Sequence, residues 1–202
     1  MLYLNGPSSA GKGTLARALQ HRFDGPLLHI GIDLLFEAMH DAGHNHVGMR
    51  EELPPQAARG VRWILDDVGR LEEVSFGPDG MRLVYGFHSM IAALSREGNN
   101  VVVDDVIFEL AMLEHASAVL HELPAYLVGV RCDLDELERR ELARGDRLPG
   151  TARLLHERPH RHVPRYDIEV DTTSMPADAC AHVIHEAVSR CSPTAFSDVV
   201  RR

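Results

Sequence analysis

The 202-residue chain has a single lysine, Lys12, against twenty arginines. A GC-rich genome is the plain explanation for the arginine bias, so the information lies in the exception. Lys12 stands inside a glycine-rich segment, where a compact, strongly hydrated ammonium fits between phosphate oxygens and a broad planar guanidinium fits badly. Cysteine is scarce too: Cys132, Cys180 and Cys191 are odd in number and far apart. That spacing excludes a disulfide framework and a CxxC metal site and leaves reduced thiols. No apolar run reaches the ~20 residues that cross a bilayer. The opening residues, Met1-Leu-Tyr-Leu-Asn5, lack the basic flank and apolar stretch of a signal peptide, so a cytoplasmic protein is expected. Positive charge is also in deficit, 21 Lys and Arg against 30 Asp and Glu, for a formal net charge of −9. This disfavours nucleic acid and membrane as partners, and a polyphosphate ligand would need a locally positive pocket.

What is present reads as one α/β domain over residues 1–189, followed by a frayed tail at 190–202. Residues 1–5 form a short apolar run that stops at Gly6, and Leu15, Ala18, Leu19 and Phe23 then recur at helical spacing. A second strand over 27–32 ends at Asp33, and Leu34, Leu35, Ala38 and Met39 continue as a helix. Residues 41–60, with His44, His46 and Pro54-Pro55, read as a long loop, partly helical at most. Residues 61–76 read as strand-rich or mixed, and Gly77-Pro78-Asp79-Gly80 as a turn. A helix is expected over 81–96. Val101-Val102-Val103 is a β-branched run suited to a strand buried on both faces, and it ends at Asp104-Asp105. Helices near 109–121, 133–144 and 176–189 alternate with strands at 125–131 and 168–170. Such alternation predicts a parallel sheet covered by helices on both faces, with ligands beyond the carboxyl ends of the strands.

Gly6, Pro7, Ser8, Ser9, Ala10, Gly11, Lys12, Gly13 and Thr14 match the phosphate-loop pattern between a strand and a helix. The glycines let backbone N–H groups converge on phosphate, the helix start adds positive potential, and Lys12 reaches the β and γ oxygens of ATP. Gly13 stands where Ser or Thr is usual, so Mg²⁺ is expected on Thr14 or through water and carboxylates. Asp104 and Asp105 are the candidates to orient that ion, against the plainer reading of a strand-end acid that caps a helix. Asp33 reads either as a helix N-cap or as the base that takes the proton of an attacking hydroxyl. An arginine-rich stretch near 139–165 holds Arg139, Arg140, Arg144, Arg147 and Arg153. Part of it reads as exposed pairing with Glu136, Glu138 and Glu141. Arg144-Gly-Asp-Arg147 follows a helix with a flexible hinge and suits a lid that closes on phosphates. His156, His160 and His162 read as solvated or locally bonded rather than as zinc ligands.

The chain resembles the chloramphenicol phosphotransferases in Pro7-Ser-Ser-Ala-Gly-Lys12, in Gly31-Ile-Asp33 followed by Glu37-Ala-Met39, and in Val103-Asp-Asp-Val106. Val128-Gly-Val-Arg-Cys-Asp133, Ala143-Arg-Gly-Asp-Arg147 and Tyr166-Asp-Ile-Glu-Val-Asp-Thr-Thr173 continue the likeness in order, across most of residues 3–188. The resemblance implies a five-stranded parallel sheet of P-loop nucleotide-kinase type and ATP-dependent transfer to an alcohol, as in antibiotic resistance. It implies that Lys12 binds phosphate, that Asp33 is the base, and that Arg144 and Arg147 are lid arginines. Residues 41–80, where an acceptor pocket is expected, match it weakly. Phe36, Met39, Trp63, Phe76 and Phe87 are candidates to line such a pocket, with core packing as the alternative. A nucleoside or nucleotide kinase is the second reading, weakened because residues 34–49 contain no Lys or Arg. A GTP-dependent switch that reads guanine with Asn-Lys-x-Asp is excluded, since Lys12 is the sole lysine. A homo-oligomer is compatible with the sequence and not specified by it.

Overall fold

A computed structural model of the chain describes residues 1–38 and 45–201. Its centre is a five-stranded parallel sheet, β1 (Leu2–Asn5), β2 (Leu27–Gly31), β6 (Asn100–Asp105), β7 (Tyr126–Arg131) and β8 (Ile168–Asp171), in spatial order β2-β6-β1-β7-β8. Successive strand residues face opposite sides. Leu2, Leu4 and Val102 therefore pack with Leu15 and Leu19 of α1 (Lys12–Arg22) and Ile184 of α7 (Ala177–Arg190). Tyr3, Val101 and Val103 pack on the other side with Phe87 and Ile91 of α3 (Pro78–Arg96) and with Met112 and Leu113 of α4 (Leu110–Leu120). The three valines of β6 have no exposed surface, as a strand covered on both faces requires.

The segment expected to be a loop holds a strand, β3 (Asn45–Met49), followed by 3₁₀ turns at Arg50–Glu52 and Pro55–Arg59. β3 runs parallel to β4 (Val61–Leu65), which pairs antiparallel with β5 (Leu71–Phe76), so a second, three-stranded sheet stands beside the first. The β4–β5 connection is locally encoded: Asp66 Oδ1 accepts from the N–H groups of Val68 and Arg70, and Gly69 takes a φ of 77°. The sequence Asn45-His-Val-Gly-Met49 has little strand propensity of its own. Its conformation comes from pairing with β4, which is a tertiary decision.

Gly77-Pro78-Asp79-Gly80, expected as a turn, instead opens α3, with Gly77 as the cap and Pro78 in the first turn. Proline costs nothing there because that N–H has no helical partner. A Cβ on Gly77 would lie 2.1 Å from the Ala58 carbonyl oxygen, so the glycine serves close backbone approach. The tail expected to fray is ordered. Residues 195–200 form α8 (Ala195–Val200), which packs on α4, and Phe196 meets Tyr3 edge-on at 5.5 Å with 2% of its surface exposed. Asp167 accepts from the N–H groups of Thr194 and Ala195, and Arg165 binds Asp198, which ties this segment back to the start of β8.

α5 (Leu134–Arg144) ends at Gly145, whose φ of 65° is the left-handed stop that glycine adopts without strain. Beyond it comes the short α6 (Thr151–Leu155). Glu141, expected to pair with arginine, is buried and accepts from the N–H groups of Gly150 and Ala152, capping α6. Glu136 does pair with Arg139 and Arg140, and Glu138 with Arg153. Met39 and His44 lie outside the described residues.

Candidate active site

The turn from β1 into α1 is shaped by contacts that only small residues allow. A Cβ on Gly6 would sit 2.4 Å from the Val130 carbonyl oxygen, and Ser9 and Gly11 both take positive φ, 63° and 81°. α1 then begins at Lys12 with no side-chain cap and no acidic residue in its first turn. Uncapped first-turn N–H groups and the helix dipole favour an anion at this position. Ser9 Oγ is buried with no hydrogen-bond partner among the described residues. A cradle of donors with an unspent hydroxyl fits a phosphate chain.

Lys12 is 6% exposed, and its Nζ donates to the carbonyls of Gly6 at 3.0 Å and Pro7 at 2.9 Å. Asp104 Oδ1 lies 3.5 Å from the same nitrogen. The loop is braced from behind by Thr172 and Arg140. Thr172 Oγ1 donates to the Ala10 carbonyl at 2.8 Å, Arg140 Nη2 donates to the Thr172 carbonyl at 2.6 Å, and Arg140 Nη1 would be 3.5 Å from a Cβ on Gly11. Arg140 thus brings a second positive charge to the loop, from a helix 128 positions further on in the numbering (140 − 12).

Asp104 and Asp105 separate by strand alternation. Asp104 faces the loop: its Oδ2 would be 3.4 Å from a Cβ on Gly13 and is 3.9 Å from His29 Nε2. His29 Nε2 is itself a buried atom with no hydrogen-bond partner among the described residues. Asp105 faces the opposite core and does not join the loop. It is 2% exposed, bonds to the Tyr3 hydroxyl, accepts from the Val106 N–H at 2.7 Å and lies 3.6 Å from His88 Nε2. Burial alone would raise its pKa, yet the hydrogen bonds and charge from His88, with those of Tyr3 and Val106, hold it below the usual carboxylate value. His88 continues to His115 at 3.3 Å between Nδ1 atoms, and His115 stacks on Tyr85. Asp105 is a buried anchor for the end of β6, which corrects its expected part in holding metal. Thr14 is one residue, hence about 100° of helix, beyond the position that points at Asp104, and it is exposed. Among the described residues no three His, Cys, Asp or Glu side chains gather as a metal site.

Asp33 opens α2 (Asp33–Ala38) at the end of β2, with half of its side chain exposed. Arg147 Nη2 donates to its Oδ2 at 2.6 Å, and that bond joins residues 114 apart in sequence. Burial lowers the Arg147 pKa, but the hydrogen bond and charge of Asp33, with Asp146 and Asp104 farther off, raise it above the usual value. Arg144 goes elsewhere, to Asp146 at 2.9 Å on the exposed surface. The two lid candidates are therefore unlike: Arg147 reaches the site and Arg144 does not.

One turn along α2 from Asp33, Phe36 meets Trp63 at 5.8 Å and Phe76 at 6.4 Å between ring centroids. Phe108, which had not been selected, closes the group at 5.0 Å from Phe76 and 6.4 Å from Trp63. Phe87 is 1% exposed, among the buried core residues. Beneath β1, Asn5 donates to the Pro159 carbonyl and the Tyr166 hydroxyl, which meets His160 Nδ1 at 2.6 Å. Burial first, then the charges of Arg131 and Lys12, pushes the His160 pKa down to about 4.

Residues 1–189 match the family described as chloramphenicol phosphotransferase-like protein. A Mycobacterium tuberculosis H37Rv protein, provisionally described as an O-phosphotransferase, is 33% identical over 207 aligned positions, covering 100% of this chain and 88% of the relative. Among solved structures, the Deinococcus radiodurans tunicamycin resistance protein superposes with a TM-score of 0.60 at 15% identity, covering 95% of this chain and 96% of that one. Shikimate kinase from Acinetobacter baumannii, in complex with shikimate, gives 0.54 at 14%, covering 93% and 92%. At such identities these two likenesses speak for the fold. No helix among the described residues is long and apolar enough to cross a membrane. The loop between β1 and α1, the sheet order and the whole-chain match converge: this is a phosphotransferase-class enzyme of P-loop kinase fold, and the chain belongs to the chloramphenicol phosphotransferase-like family.

Proposed function

We propose that the protein moves the γ-phosphoryl group of ATP, bound with Mg²⁺, to a hydroxyl of a small acceptor with an apolar body. The observation that carries this reading is the surrounding of Asp33. Its half-exposed carboxylate ends the strand beside β6, carries Arg147, and is followed one turn later by the Phe36, Trp63 and Phe76 rings.

In this reading the backbone of Gly6 to Thr14 and the start of α1 hold the β and γ phosphates, and Lys12 exchanges the Gly6 and Pro7 carbonyls for phosphate oxygens. Asp104 would hold magnesium through water, which suits an ion that keeps much of its hydration and a loop with Gly13 in place of a hydroxyl. Bound magnesium supplies positive charge to the phosphates. Asp33 takes the acceptor's proton as its oxygen bonds to the γ-phosphorus and the bond from that phosphorus to the β–γ bridging oxygen breaks. Arg147 stands where charge builds up on the transferred group.

Arg147 also favours a second reading, a nucleotide kinase, because it delivers beside Asp33 the cation that residues 34–49 lack. One assay separates the two. The protein is incubated with ATP and Mg²⁺ against hydroxylated antibiotics including chloramphenicol, nucleosides, nucleoside monophosphates and small hydroxylated metabolites, with mass spectrometry for a product heavier by one phosphoryl group. A phosphorylated antibiotic or metabolite supports the first reading, and a phosphorylated nucleoside or nucleotide the second. ATP bound without any product across the panel would refute both.

A further inference from the structure

Arg158 lies in the turn after α6, half-buried against the outer edge of β5. Its Nε donates to the Phe108 carbonyl at 3.2 Å, its Nη2 donates to the Val74 carbonyl at 3.0 Å, and its guanidinium carbon sits 5.7 Å from the centre of the Phe108 ring. Nη1 has no hydrogen-bond partner, and no carboxylate lies within ion-pair distance of Arg158, among the described residues. Glu109 and Glu73 face it from farther away, and Glu73 is held by Arg50 at 2.6 Å. Burial, with the like charge of Arg161, lowers the Arg158 pKa, against the more distant pull of Glu109 and Glu73.

The position of this cation matters. Phe108 touches Phe76, and Phe76 touches Phe36, which shares a helix with Asp33. The rings thus lead from the carboxylate at one end to the unpaired guanidinium at the other. Phe36, Trp63 and Phe76 are each only partly buried where they pack on the core. A neutral acceptor laid along them would leave the charge uncompensated, whereas a planar carboxylate matches the unspent N–H groups of a guanidinium.

We propose that Arg158 binds a carboxylate of the acceptor, which makes the substrate a hydroxylated acid with a flat apolar body between its hydroxyl and its acid group. This rests on Asp33 being the hydroxyl end of the site. It identifies Arg158 as an acceptor-binding residue that discriminates by charge and takes no part in the bond changes.

The test uses two probes of one shape, 4′-(hydroxymethyl)biphenyl-4-carboxylate and its neutral amide, 4′-(hydroxymethyl)biphenyl-4-carboxamide. Binding of each to the full chain is measured by calorimetry and phosphorylation by mass spectrometry, with wild type and Arg158→Met. A charge-assisted contact predicts that wild type binds the acid about tenfold to a hundredfold tighter than the amide. In Arg158→Met that ratio should fall to about one. The wild-type comparison needs no variant, so a misfolded Arg158→Met leaves the proposal testable. Equal binding of the two probes, or a preference for the amide, overturns it. So does an Arg158→Met protein that is less heat-stable but keeps the ratio, since Arg158 would then be only a clamp between β5 and the Phe108 segment. If the acid is bound selectively through Arg158 but neither probe nor any panel compound is phosphorylated, the charge site stands and the transfer reading fails. If the amide alone is phosphorylated, transfer stands and this inference fails.

Discussion

The phosphate end and the acceptor end of the site are built in different ways. The phosphate end is one continuous segment, Gly6 to Thr14, joined by the end of β6 and braced by Arg140 and Thr172. The acceptor end, as proposed above, is collected from α2, the three-stranded sheet, the Phe108 segment and the stretch from Arg147 to Arg158. A triphosphate is the same in every ATP user, so a short loop with set geometry suffices for it. An acceptor differs from enzyme to enzyme, and a pocket made from dispersed pieces can vary without disturbing the loop.

The sharpest way to break this comparison is to remove a charge at the acceptor end and look for effects at the other. Asp33→Asn keeps the shape and any capping hydrogen bond but removes the proposed base, so single-turnover transfer should fall ~10²–10⁴-fold. ATP affinity and thermal unfolding should stay close to wild type. A mutant within about threefold of wild-type rate would refute the base role. At the phosphate end, Lys12→Ala should cost roughly 10²–10³-fold in transfer, and Lys12→Arg should not restore it, because the broad guanidinium does not fit the loop. An active Lys12→Arg enzyme would end the claim that this loop grips phosphate by a point charge.

A smaller effect is expected under the loop, at His160. Its folded pKa of about 4 lies below the ordinary histidine value, so between about pH 6.5 and 4 the unfolded chain binds more protons than the folded one. Stability should therefore fall as pH is lowered through that window, by roughly 3 kcal/mol in all. Urea midpoints at a series of pH values measure it, and His160→Gln should flatten this part of the profile. An unaltered profile would mean that other groups carry the acid sensitivity. The mildest prediction concerns the lid arginines. Arg147→Ala should lower turnover more than tenfold, more than it weakens ATP binding, because a group acting at the transition state affects rate first. Arg144→Ala should stay within about twofold, since an exposed pair such as Arg144 with Asp146 contributes ~0–1 kcal/mol. Equal losses for the two would restore the symmetrical lid that the sequence suggests.

Much of the large sheet was legible because its signals are local. Strand runs end at Gly6, at Asp33 and at Asp104-Asp105, and helical spacing follows each. The misses share a physical cause. β3 has weak strand propensity and exists because β4 offers it a partner. α8 is only six residues long, too short for a periodic pattern to show, and is held by Phe196 against Tyr3. Gly77-Pro78 suits a turn and a helix start equally, and the approach of Ala58 to Gly77 decides between them. Phe108 and Arg158 carried no motif, since their meaning lies in each other and in Phe76.

By itself the sequence determined the parallel α/β architecture and the phosphate loop with its one lysine, because strand alternation, helical periodicity and a glycine-rich turn are properties of consecutive residues. Tertiary structure decided which of two adjacent aspartates faces the loop, which of two nearby arginines meets Asp33, and that four rings from four segments stand together. Those outcomes depend on which face of a strand meets which layer and on contacts spanning up to 114 positions, and no local pattern carries that information.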